Sequence, residues 1–419
     1  MNIDKIIISV IGLGYVGLPL AIEFGKKFKV IGFDINKKRI LELKKKIDVT
    51  KEVTELSFNS SKYLFFTNKE KELVSANIYI LTVPTPIKEN NKPDLSYIFK
   101  ACDVVLRTLK IGNIIVLEST VFPGFCEESL APYIEKKSGL KYNKDFFIGY
   151  SPERINPGDS KYKIKNIIKI VSASDIQTLR LLCKIYEKII PAGIYRAKNI
   201  KIAESAKVIE NIQRDINVAF MNELAMIFNK MKIDTLEVLK AASTKWNFLK
   251  FYPGLVGGHC IGVDPYYLTY KCNQIGYRPN LILASRKINN HTTKYISEKI
   301  IQKFKEKNNI KGLILGASFK ENCPDVRNSG SSKIFNNLKK KYTVEVYDPI
   351  ASENDCKRIY KKAYIKKLKK NYYDFIIIAV GHKIFKQYGF NKIKNLSKEN
   401  SYIVDVKSIF KKSESNFRL

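Results

Sequence analysis

The sequence predicts two doubly wound α/β domains with parallel sheets, joined by a long central helix and a helical middle domain. Strand and helix patterns alternate in the first and last parts of the chain, and one long helical pattern without glycine or proline lies between them. A chain of 419 residues is long enough for two or three domains. We therefore expect domains at residues 1–198, 199–305 and 306–419.

Short apolar runs bounded by polar or glycine-containing stretches predict the strands. In the first domain we expect strands at residues 6–11, 29–34, 78–83, 114–118 and 146–150. In the last domain we expect them at residues 312–315, 344–347, 375–380 and 402–406. Helical patterns separate these strands, so each domain is predicted to be Rossmann-like.

Residues 203–231 carry apolar side chains at helical spacing, which predicts one long helix. This helix has more hydrophobic positions than one neighbouring domain would cover. We therefore expect a homodimer built around it.

Composition excludes several classes of protein. The formal net charge is +34, but the lysines are spread along the chain, and zinc fingers and aromatic RNA-binding motifs are absent, so we expect no nucleic-acid partner. A diffuse positive field suits small anionic ligands instead. No apolar run reaches the ~18–20 residues of a membrane helix, so we expect no membrane partner.

Two further features indicate a cytoplasmic protein. The apolar run at residues 6–11 stops at Gly12 with no small-residue cleavage site behind it, so we expect a buried strand and not a signal peptide. The seven cysteines are scattered without a CxxC pair, which predicts no disulfide framework and no metal site.

A glycine-rich turn follows the first predicted strand and precedes a helical pattern, with the sequence Gly12-Leu13-Gly14-Tyr15-Val16-Gly17. This context makes the GxGxxG spacing a strong indication of a dinucleotide site. Gly12 allows the tight turn, Gly14 lets the backbone approach the pyrophosphate, and Gly17 allows close packing of helix and strand. The phosphates would lie at the helix N-terminus, where N–H groups and the helix dipole favour an anion.

Asp34 ends the second predicted strand, where an acid is expected to bind the ribose hydroxyls. A carboxylate repels the 2′-phosphate of NADP, so the predicted cofactor is NAD. Lys37, Lys38 and Arg39 follow closely and weaken this preference.

Cys260 lies in a glycine-rich segment, residues 251–264, ahead of a helical pattern. Backbone N–H groups at such a position favour the thiolate. An isolated cysteine is more often a structural residue, but beside a nicotinamide cofactor a thiol has a specific use. It adds to an aldehyde, the thiohemiacetal gives up a hydride, and water hydrolyses the thioester to an acid.

Motifs spaced along the chain carry a resemblance to a known family. They read GLGYVGLPLA, TVPTP, ESTVFPG, SPERINPG, AKVIEN, FYPGLVGGHCIGVDPYYL and FKENCPDVRNS. Through them the chain resembles the UDP-glucose/GDP-mannose dehydrogenase family over nearly its whole length, and within it the UDP-N-acetylhexosamine 6-dehydrogenases of Vi-type capsule and O-antigen synthesis. The UDP-glucose enzymes usually have Lys-Asp after the cysteine motif, whereas this chain has Val263-Asp264, which argues against glucose.

The resemblance implies an NAD-dependent, four-electron oxidation of the C6 hydroxyl of UDP-GlcNAc, or of its C4 epimer UDP-GalNAc, to the uronic acid by a homodimer. The alternatives are UDP-ManNAc or UDP-glucose as substrate, or a two-electron hydroxyacid dehydrogenase, which would have no use for Cys260. A catalytically silent subunit that binds nucleotide sugars is a further alternative.

The resemblance also implies roles in the first oxidation and the thiol chemistry. Cys260 would be the nucleophile, with Asp264 as an acidic neighbour that helps to hold a water molecule or the lysine. Lys207 and Asn211 lie four residues apart, so they share a helix face and would stabilise alkoxide and oxyanion charge. The alternative for this pair is a solvated helix face.

For hydrolysis, the resemblance implies that Glu153 activates water and that Thr120 positions it. The alternative for Glu153 is a surface ion pair with Arg154. The other implied cofactor contacts are Tyr15, Val16, Arg39, Val83, Pro84, Thr85, Thr120 and Arg327. The implied substrate contacts are Glu153, Arg154, Lys207, Asn211, Phe251, Tyr252, Gly254, Gly258, His259 and Lys320. Adjacent residues seldom point the same way, so we expect a substrate or structural role for His259 and no Cys/His dyad.

Overall fold

The computed structural model of the chain describes residues 3–155 and 164–419. Residues 156–158, which end the SPERINPG motif, lie outside the described residues. Contacts divide the chain into two compact units. The N-terminal unit comprises Met1–Glu210 and Tyr266–Gly276, and the C-terminal unit comprises Asn211–Pro265 and Tyr277–Leu419. The predicted middle domain, residues 199–305, is divided between the two units. The three-domain division therefore stays a prediction.

The N-terminal unit contains an 8-stranded sheet. Its strands are β1 (Ile7–Ile11), β2 (Lys29–Phe33), β3 (Leu64–Thr67), β4 (Ile78–Leu81), β5 (Asn113–Leu117), β6 (Phe146–Tyr150), β7 (Lys169–Ala173) and β8 (Ile194–Arg196). The spatial order is β3-β2-β1-β4-β5-β6-β7-β8. Strands β4 and β5 are buried at every position, as expected of central strands with both faces covered.

The helices of this unit have local reasons to begin where they do. They are α1 (Gly17–Phe24), α2 (Lys37–Lys44), α3 (Glu55–Ser60), α4 (Ser96–Leu106), α5 (Ala131–Ser138) and α6 (Ile176–Glu187). Asn36 caps α2 by accepting from the backbone N–H groups of Lys38 and Arg39, and Asp175 caps α6 in the same way. Helix α1 starts directly after the glycine turn, which places its N-terminus at the carboxyl end of β1.

Three helices span the middle of the chain: α7 (Ile200–Lys230), α8 (Thr235–Ala242) and α9 (Asp264–Gln274). Helix α7 is 31 residues long and confirms the predicted long helix. Its buried positions include Val208, Ile212 and Ala219, which follow helical spacing.

The C-terminal unit contains a 5-stranded sheet of order β10-β9-β11-β12-β13, in which every described pair is parallel. Its strands are β9 (Lys311–Leu315), β10 (Thr343–Tyr347), β11 (Tyr373–Ile378), β12 (Ser397–Asp405) and β13 (Phe417–Arg418). Its helices are α10 (Asn280–Lys303), α11 (Gly330–Leu338), α12 (Glu353–Tyr360) and α13 (Lys383–Lys394).

The predicted strands are all present, and the doubly wound α/β class is confirmed. Strands β3, β7, β8 and β13 were not predicted, and β7 pairs antiparallel with β6, so one pair departs from the expected parallel sheet. An antiparallel neighbour needs no crossover helix. Within the described residues, no helix is both long enough and apolar enough to cross a membrane.

Candidate active site

The glycine turn has the geometry that its sequence predicts. Gly12 has a φ of +95°, which a side chain would strain. A Cβ on Gly17 would lie 1.9 Å from the carbonyl oxygen of Gly12, so only glycine lets α1 pack this close to β1. A Cβ on Gly14 would meet nothing within 4 Å, and Gly14 is exposed. The turn therefore has open space where a pyrophosphate would approach.

The strand-end acid is joined to this turn. Asp34 Oδ2 accepts a 2.9 Å hydrogen bond from the backbone N–H of Leu13. Arg39 is buried, donates from Nε to the Leu13 carbonyl at 2.9 Å, and pairs with Asp48 at 2.8 Å. Asp48 therefore neutralises the charge of Arg39 inside the protein. Arg39 should attract the 2′-phosphate of NADP less than the sequence suggests, so it opposes the preference for NAD less. Together with the glycines, this arrangement fits a dinucleotide such as NAD.

The loop after β4 carries Val83, Pro84 and Thr85, and two hydroxyl groups fix it. Ser119 donates to the Val83 carbonyl at 2.6 Å, and the Tyr267 hydroxyl donates to the Thr85 carbonyl at 2.9 Å. Tyr267 is fully buried, and the sequence did not indicate it. These bonds hold the loop at the carboxyl end of the sheet, where cofactors bind in such folds.

The loop after β5, which carries Thr120, is held by a buried acid. Glu204 on α7 accepts backbone hydrogen bonds from Gly124 at 2.5 Å and from Cys126 at 2.9 Å. Burial raises the pKa of Glu204 to about 7, although these bonds oppose the shift. Thr120 therefore lies in a loop that begins at the end of β5 and is held further along by Glu204 of α7.

Glu153 lies in a buried charged cluster and not in a surface pair. Its Oε1 accepts backbone hydrogen bonds from Arg154 at 2.6 Å and Ile155 at 2.7 Å, and its Oε2 lies 3.2 Å from Lys169 Nζ. Lys169 also pairs with Glu118 at 2.5 Å. The Arg154 guanidinium pairs with Glu210 instead, at 2.6 Å. The proposed base is therefore oriented by fixed donors on both oxygens.

Lys207 on α7 is only 8 % exposed. Among the residues that the structure describes, no carboxylate lies within ion-pair distance of its ammonium group. A buried charge without a counter-charge is costly, so the site favours an oxygen anion beside Lys207. A solvated helix face does not describe this residue.

In the C-terminal unit, Cys260 is exposed in a turn that leads into α9. Its carbonyl accepts from the backbone N–H of Asp264 at 2.8 Å, so the thiol lies one turn before the first residue of α9. Asp264 is 2 % exposed and accepts a 2.5 Å hydrogen bond from the side-chain amide of Asn211. The predicted nucleophile is thus accessible, while the pair beside it is buried.

His259 contacts Asp325, a buried acid of the C-terminal unit. Its Nε2 lies 2.8 Å from Asp325 Oδ2, and the Arg327 guanidinium also donates to Asp325 at 2.7 Å. Burial alone would raise the pKa of Asp325, but the hydrogen bonds from His259 and Arg327 outweigh burial and lower it. The predicted contact Lys320 lies over the ring of Phe319, 5.6 Å from its centroid.

The segment before Cys260 is held by its glycines and by a buried asparagine. Gly258 has a φ of +80°, and a Cβ there would lie 2.7 Å from the Phe319 ring. The backbone N–H of Gly254 donates to Asn222 Oδ1 at 2.8 Å, and the Asn222 amide donates back to the Gly254 carbonyl at 3.0 Å. Phe251 is half-buried, and Tyr252 is 56 % exposed.

The structure thus gathers the predicted residues into separate groups. The N-terminal unit holds the glycine turn, Asp34, the Thr120 loop, Glu153 and Lys207, and the C-terminal unit holds Cys260, Asn211, Asp264, His259, Arg327 and Lys320. Sequence reasoning missed Glu118, Lys169, Glu204, Asn222, Tyr267 and Asp325. One available signal was the lysine in the apolar run of residues 167–173, which is unusual for a buried strand.

Comparisons with known proteins identify one family over most of the chain. Sequence models of the UDP-glucose/GDP-mannose dehydrogenase family match residues 6–190 as its NAD binding domain, 201–291 as its central domain, and 313–412 as its UDP binding domain. A UDP-N-acetyl-D-glucosamine 6-dehydrogenase of Salmonella typhi is 50 % identical over 100 % of both chains. An enzyme of the same name from Pseudomonas aeruginosa is 48 % identical over 98 % of this chain and 99 % of its own.

A solved structure gives the same result for the fold. The UDP-D-ManNAc dehydrogenase of Pyrococcus horikoshii superposes with a TM-score of 0.87 at 26 % identity, covering 99 % of this chain and 98 % of the other.

Proposed function

Since the chain belongs to the UDP-glucose/GDP-mannose dehydrogenase family and is an NAD-dependent nucleotide-sugar dehydrogenase, we propose that it oxidises the C6 hydroxyl of a UDP-N-acetylhexosamine to a carboxylate. The proposed substrate is UDP-GlcNAc or its C4 epimer UDP-GalNAc, and the product supplies surface polysaccharide synthesis. One observation carries the four-electron reaction: an exposed thiol, Cys260, precedes α9 next to the buried Asn211–Asp264 pair.

The choice of sugar is supported by the relatives and by one departure from the family pattern. The Salmonella typhi protein, 50 % identical, is named for UDP-N-acetyl-D-glucosamine. Relatives named for UDP-N-acetyl-D-mannosamine are less similar, at 33 % for the Methanocaldococcus jannaschii protein. UDP-ManNAc is therefore the second candidate substrate. UDP-glucose is the third, because the UDP-glucose enzymes usually have a lysine where this chain has Val263.

The overall reaction balances with two equivalents of cofactor. The sugar CH₂OH group, two NAD⁺ and one water give the carboxylate, two NADH and three protons. Gly12, Gly14, Gly17 and Asp34 would hold NAD, which would accept each hydride. Everything else in the proposed mechanism is done by side chains of this chain.

In the first oxidation, the C6 hydroxyl gives its proton to water, so negative charge develops on its oxygen before the C6 carbon has given up its hydride. We assign the Lys207 ammonium group to this oxygen, because a buried cation stabilises an anion strongly in a low-dielectric site. The product of this stage is an aldehyde.

In the second stage, the Cys260 thiolate adds to the aldehyde carbon, and the carbonyl oxygen becomes an oxyanion. The Asn211 amide donates one N–H to Asp264 at 2.5 Å, which fixes its orientation. We assign its second N–H to the oxyanion. Loss of hydride from this carbon then leaves a thioester on Cys260.

In the third stage, water hydrolyses the thioester. The Glu153 carboxylate takes a proton from water while the water oxygen bonds to the carbonyl carbon, and Thr120 positions that water. The C–S bond then breaks, and Cys260 is released as the thiol once it regains a proton. Orientation of Glu153 by the backbone of Arg154 and Ile155 supports this role.

We further propose a homodimer that works in the cytoplasm. Large apolar side chains remain exposed on and after α7 in the C-terminal unit, among them Phe220, Ile227, Met231, Trp246 and Leu249. Such exposure is unusual for a monomer. A monomeric mass by light scattering at micromolar concentration would contradict the dimer. The buried cysteines, for example Cys102 and Cys183, are thiols, which suits a reducing compartment.

The experiment that tests the reaction measures NADH formed per sugar over a panel of UDP-sugars. Two NADH per UDP-GlcNAc or UDP-GalNAc indicates the proposed oxidation, and one indicates a simple dehydrogenase. Cys260→Ser should bind UDP-sugar but form no acid, because a hydroxyl is a far weaker nucleophile than a thiolate. Glu153→Gln should accumulate a sugar adduct on Cys260, visible by intact-mass spectrometry. Full acid formation by Cys260→Ser would exclude the thioester route.

A further inference from the structure

A lysine lies inside the sheet of the N-terminal unit, where charged residues are rare. Lys169 opens β7, and its side chain is 3 % exposed. Its Nζ lies 2.5 Å from Glu118 Oε2 and 3.2 Å from Glu153 Oε2, and it donates to the Pro152 carbonyl at 3.2 Å. One buried ammonium group is therefore shared by two carboxylates, and one of these is the proposed base.

The ionisable groups around Lys169 decide which of these side chains are charged. The Tyr186 hydroxyl donates to Glu118 Oε1 at 2.5 Å, and its ring lies 5.6 Å from Lys169 Nζ. Burial raises the pKa of Glu118 to about 7, against the opposing effect of Lys169. Burial alone would lower the pKa of Lys169, but Glu118 and Glu153 outweigh it and raise the pKa, so the lysine stays charged. The nearby Arg154 is neutralised by Glu210.

We propose that Lys169 and Glu118 are positioning residues for Glu153: Lys169 holds it as an oriented carboxylate, and Glu118 keeps Lys169 paired after Glu153 has taken the proton. This inference rests on the proposed role of Glu153 in thioester hydrolysis. It concerns residues that touch neither sugar nor cofactor in the mechanism above.

The balance of the hydrolysis step explains why two carboxylates are needed. When the O–H bond of water breaks, its proton goes to Glu153, which loses its negative charge. With Glu153 as its sole partner, Lys169 would then be an unpaired buried cation, which is costly. Because Glu118 lies 2.5 Å from Lys169, the ion pair persists while Glu153 is neutral. When the departing Cys260 thiolate regains a proton and Glu153 gives one up, the starting state is restored.

A purely structural ion pair would require only Lys169 and Glu118. The positioning role makes a different prediction, because the two residues act on Glu153 in opposite directions. Lys169 places a positive charge 3.2 Å from Glu153, whereas Glu118 places a like charge nearby and competes for the same ammonium group at 2.5 Å. Removing each in turn should therefore move the pH dependence of hydrolysis in opposite directions.

The test compares Lys169→Met and Glu118→Gln with the wild-type chain, using a UDP-sugar that the wild type oxidises with two NADH. In Lys169→Met, the acidic limb of the kcat profile should move to higher pH, and in Glu118→Gln it should move to lower pH. Lys169→Met should release two NADH per site in one rapid phase, then turn over roughly 10²-fold more slowly, with the thioester adduct visible by intact mass. Lys169→Arg should recover part of the rate.

The matched control is Lys165→Met, which removes a lysine that pairs at 3.0 Å with Glu23 outside this cluster and should leave the pH profile unchanged. If Lys169→Met does not fold, as judged by thermal melting and NADH binding, the direction of the Glu118→Gln shift decides. Unchanged limbs, or shifts in one common direction, would overturn the inference. If Glu153→Gln itself hydrolyses the thioester normally, the role proposed for Glu153 fails, which is a separate result.

Discussion

A glycine turn follows the first strand of each sheet along the chain, β1 and β9, and the surroundings of the two turns differ. Gly12 follows β1 with a φ of +95°, and Gly316 follows β9 with a φ of +96°. In both, an aspartate at the end of the neighbouring strand accepts backbone N–H groups of the turn. Asp34 accepts from Leu13 at 2.9 Å, and Asp348 accepts from Ala317 at 2.7 Å.

The two aspartates differ in how deeply they are buried and in how soon a helix follows the turn beside them. Asp34 is half-buried, and α1 begins at Gly17, directly after its turn. Asp348 is 2 % exposed, and the fully buried His382 lies 3.1 Å from its Oδ2. Helix α11 begins only at Gly330, well after the second turn. A first glycine and a strand-end acid are therefore not enough for a dinucleotide site, which also needs an open crevice and an immediate helix N-terminus.

The largest expected effect is on stability, and it distinguishes two glycines of the first turn, Gly17 and Gly14. Gly17→Ala should destabilise the chain by about 3 kcal/mol or more, because the new Cβ would lie 1.9 Å from a backbone oxygen that cannot move aside. Gly14→Ala should change stability by less than about 1 kcal/mol, since its Cβ meets open space, yet weaken NADH binding roughly tenfold. Urea unfolding without cofactor and NADH fluorescence titration measure the two effects. Equal stability losses in both variants would contradict this account.

The next effect compares the two aspartates. Asp348→Asn should cost about 3 kcal/mol, because it places an amide N–H₂ against backbone donors and His382 in a closed site. Asp34→Asn should cost only about 1 kcal/mol, because Asp34 is half-buried. Unfolding free energies at neutral pH provide the measurement, and a larger loss for Asp34→Asn would reverse the comparison.

The contribution of Asp348 should also depend on pH. Burial would raise its pKa, but hydrogen bonds from His382, Ala351 and Ile350 lower it from 3.8 to about 2. A depressed carboxyl pKa stabilises the folded state above the unfolded value, and this stability is lost as pH falls through about 2. The amount is about 2 kcal/mol. The difference in unfolding free energy between wild type and Asp348→Asn should therefore shrink between pH 5 and pH 2, and a constant difference would argue against it.

The smallest effect concerns cofactor choice. Asp34→Asn should reduce the ratio of kcat/KM for NAD over NADP by about tenfold, or roughly 1.4 kcal/mol, because the repulsion of a 2′-phosphate is removed. Arg39 should not oppose this, since Asp48 already neutralises it at 2.8 Å. Steady-state kinetics with both cofactors provides the check, and a wild type that prefers NADP would contradict the NAD assignment.

Much of the fold and part of the site could be predicted because their signals are local. The apolar runs of β1, β4 and β5 predict buried strands, and the glycine spacing predicts the turn whose φ at Gly12 is +95°. Strand β7 was missed because Lys169 interrupts its apolar pattern, although that lysine is buried. Its burial depends on Glu118, 51 residues away in the sequence.

The sequence by itself determined the class of fold, the long helix and the dinucleotide turn, because each depends on spacing within one segment or on one recognisable motif. Only the tertiary structure decided which charges share a buried site. The pairing of Glu153 with Lys169 at 3.2 Å and of His259 with Asp325 at 2.8 Å joins residues from different segments. A charged side chain is stable inside a protein only beside its partner, and which partner it meets depends on the packing of the whole unit.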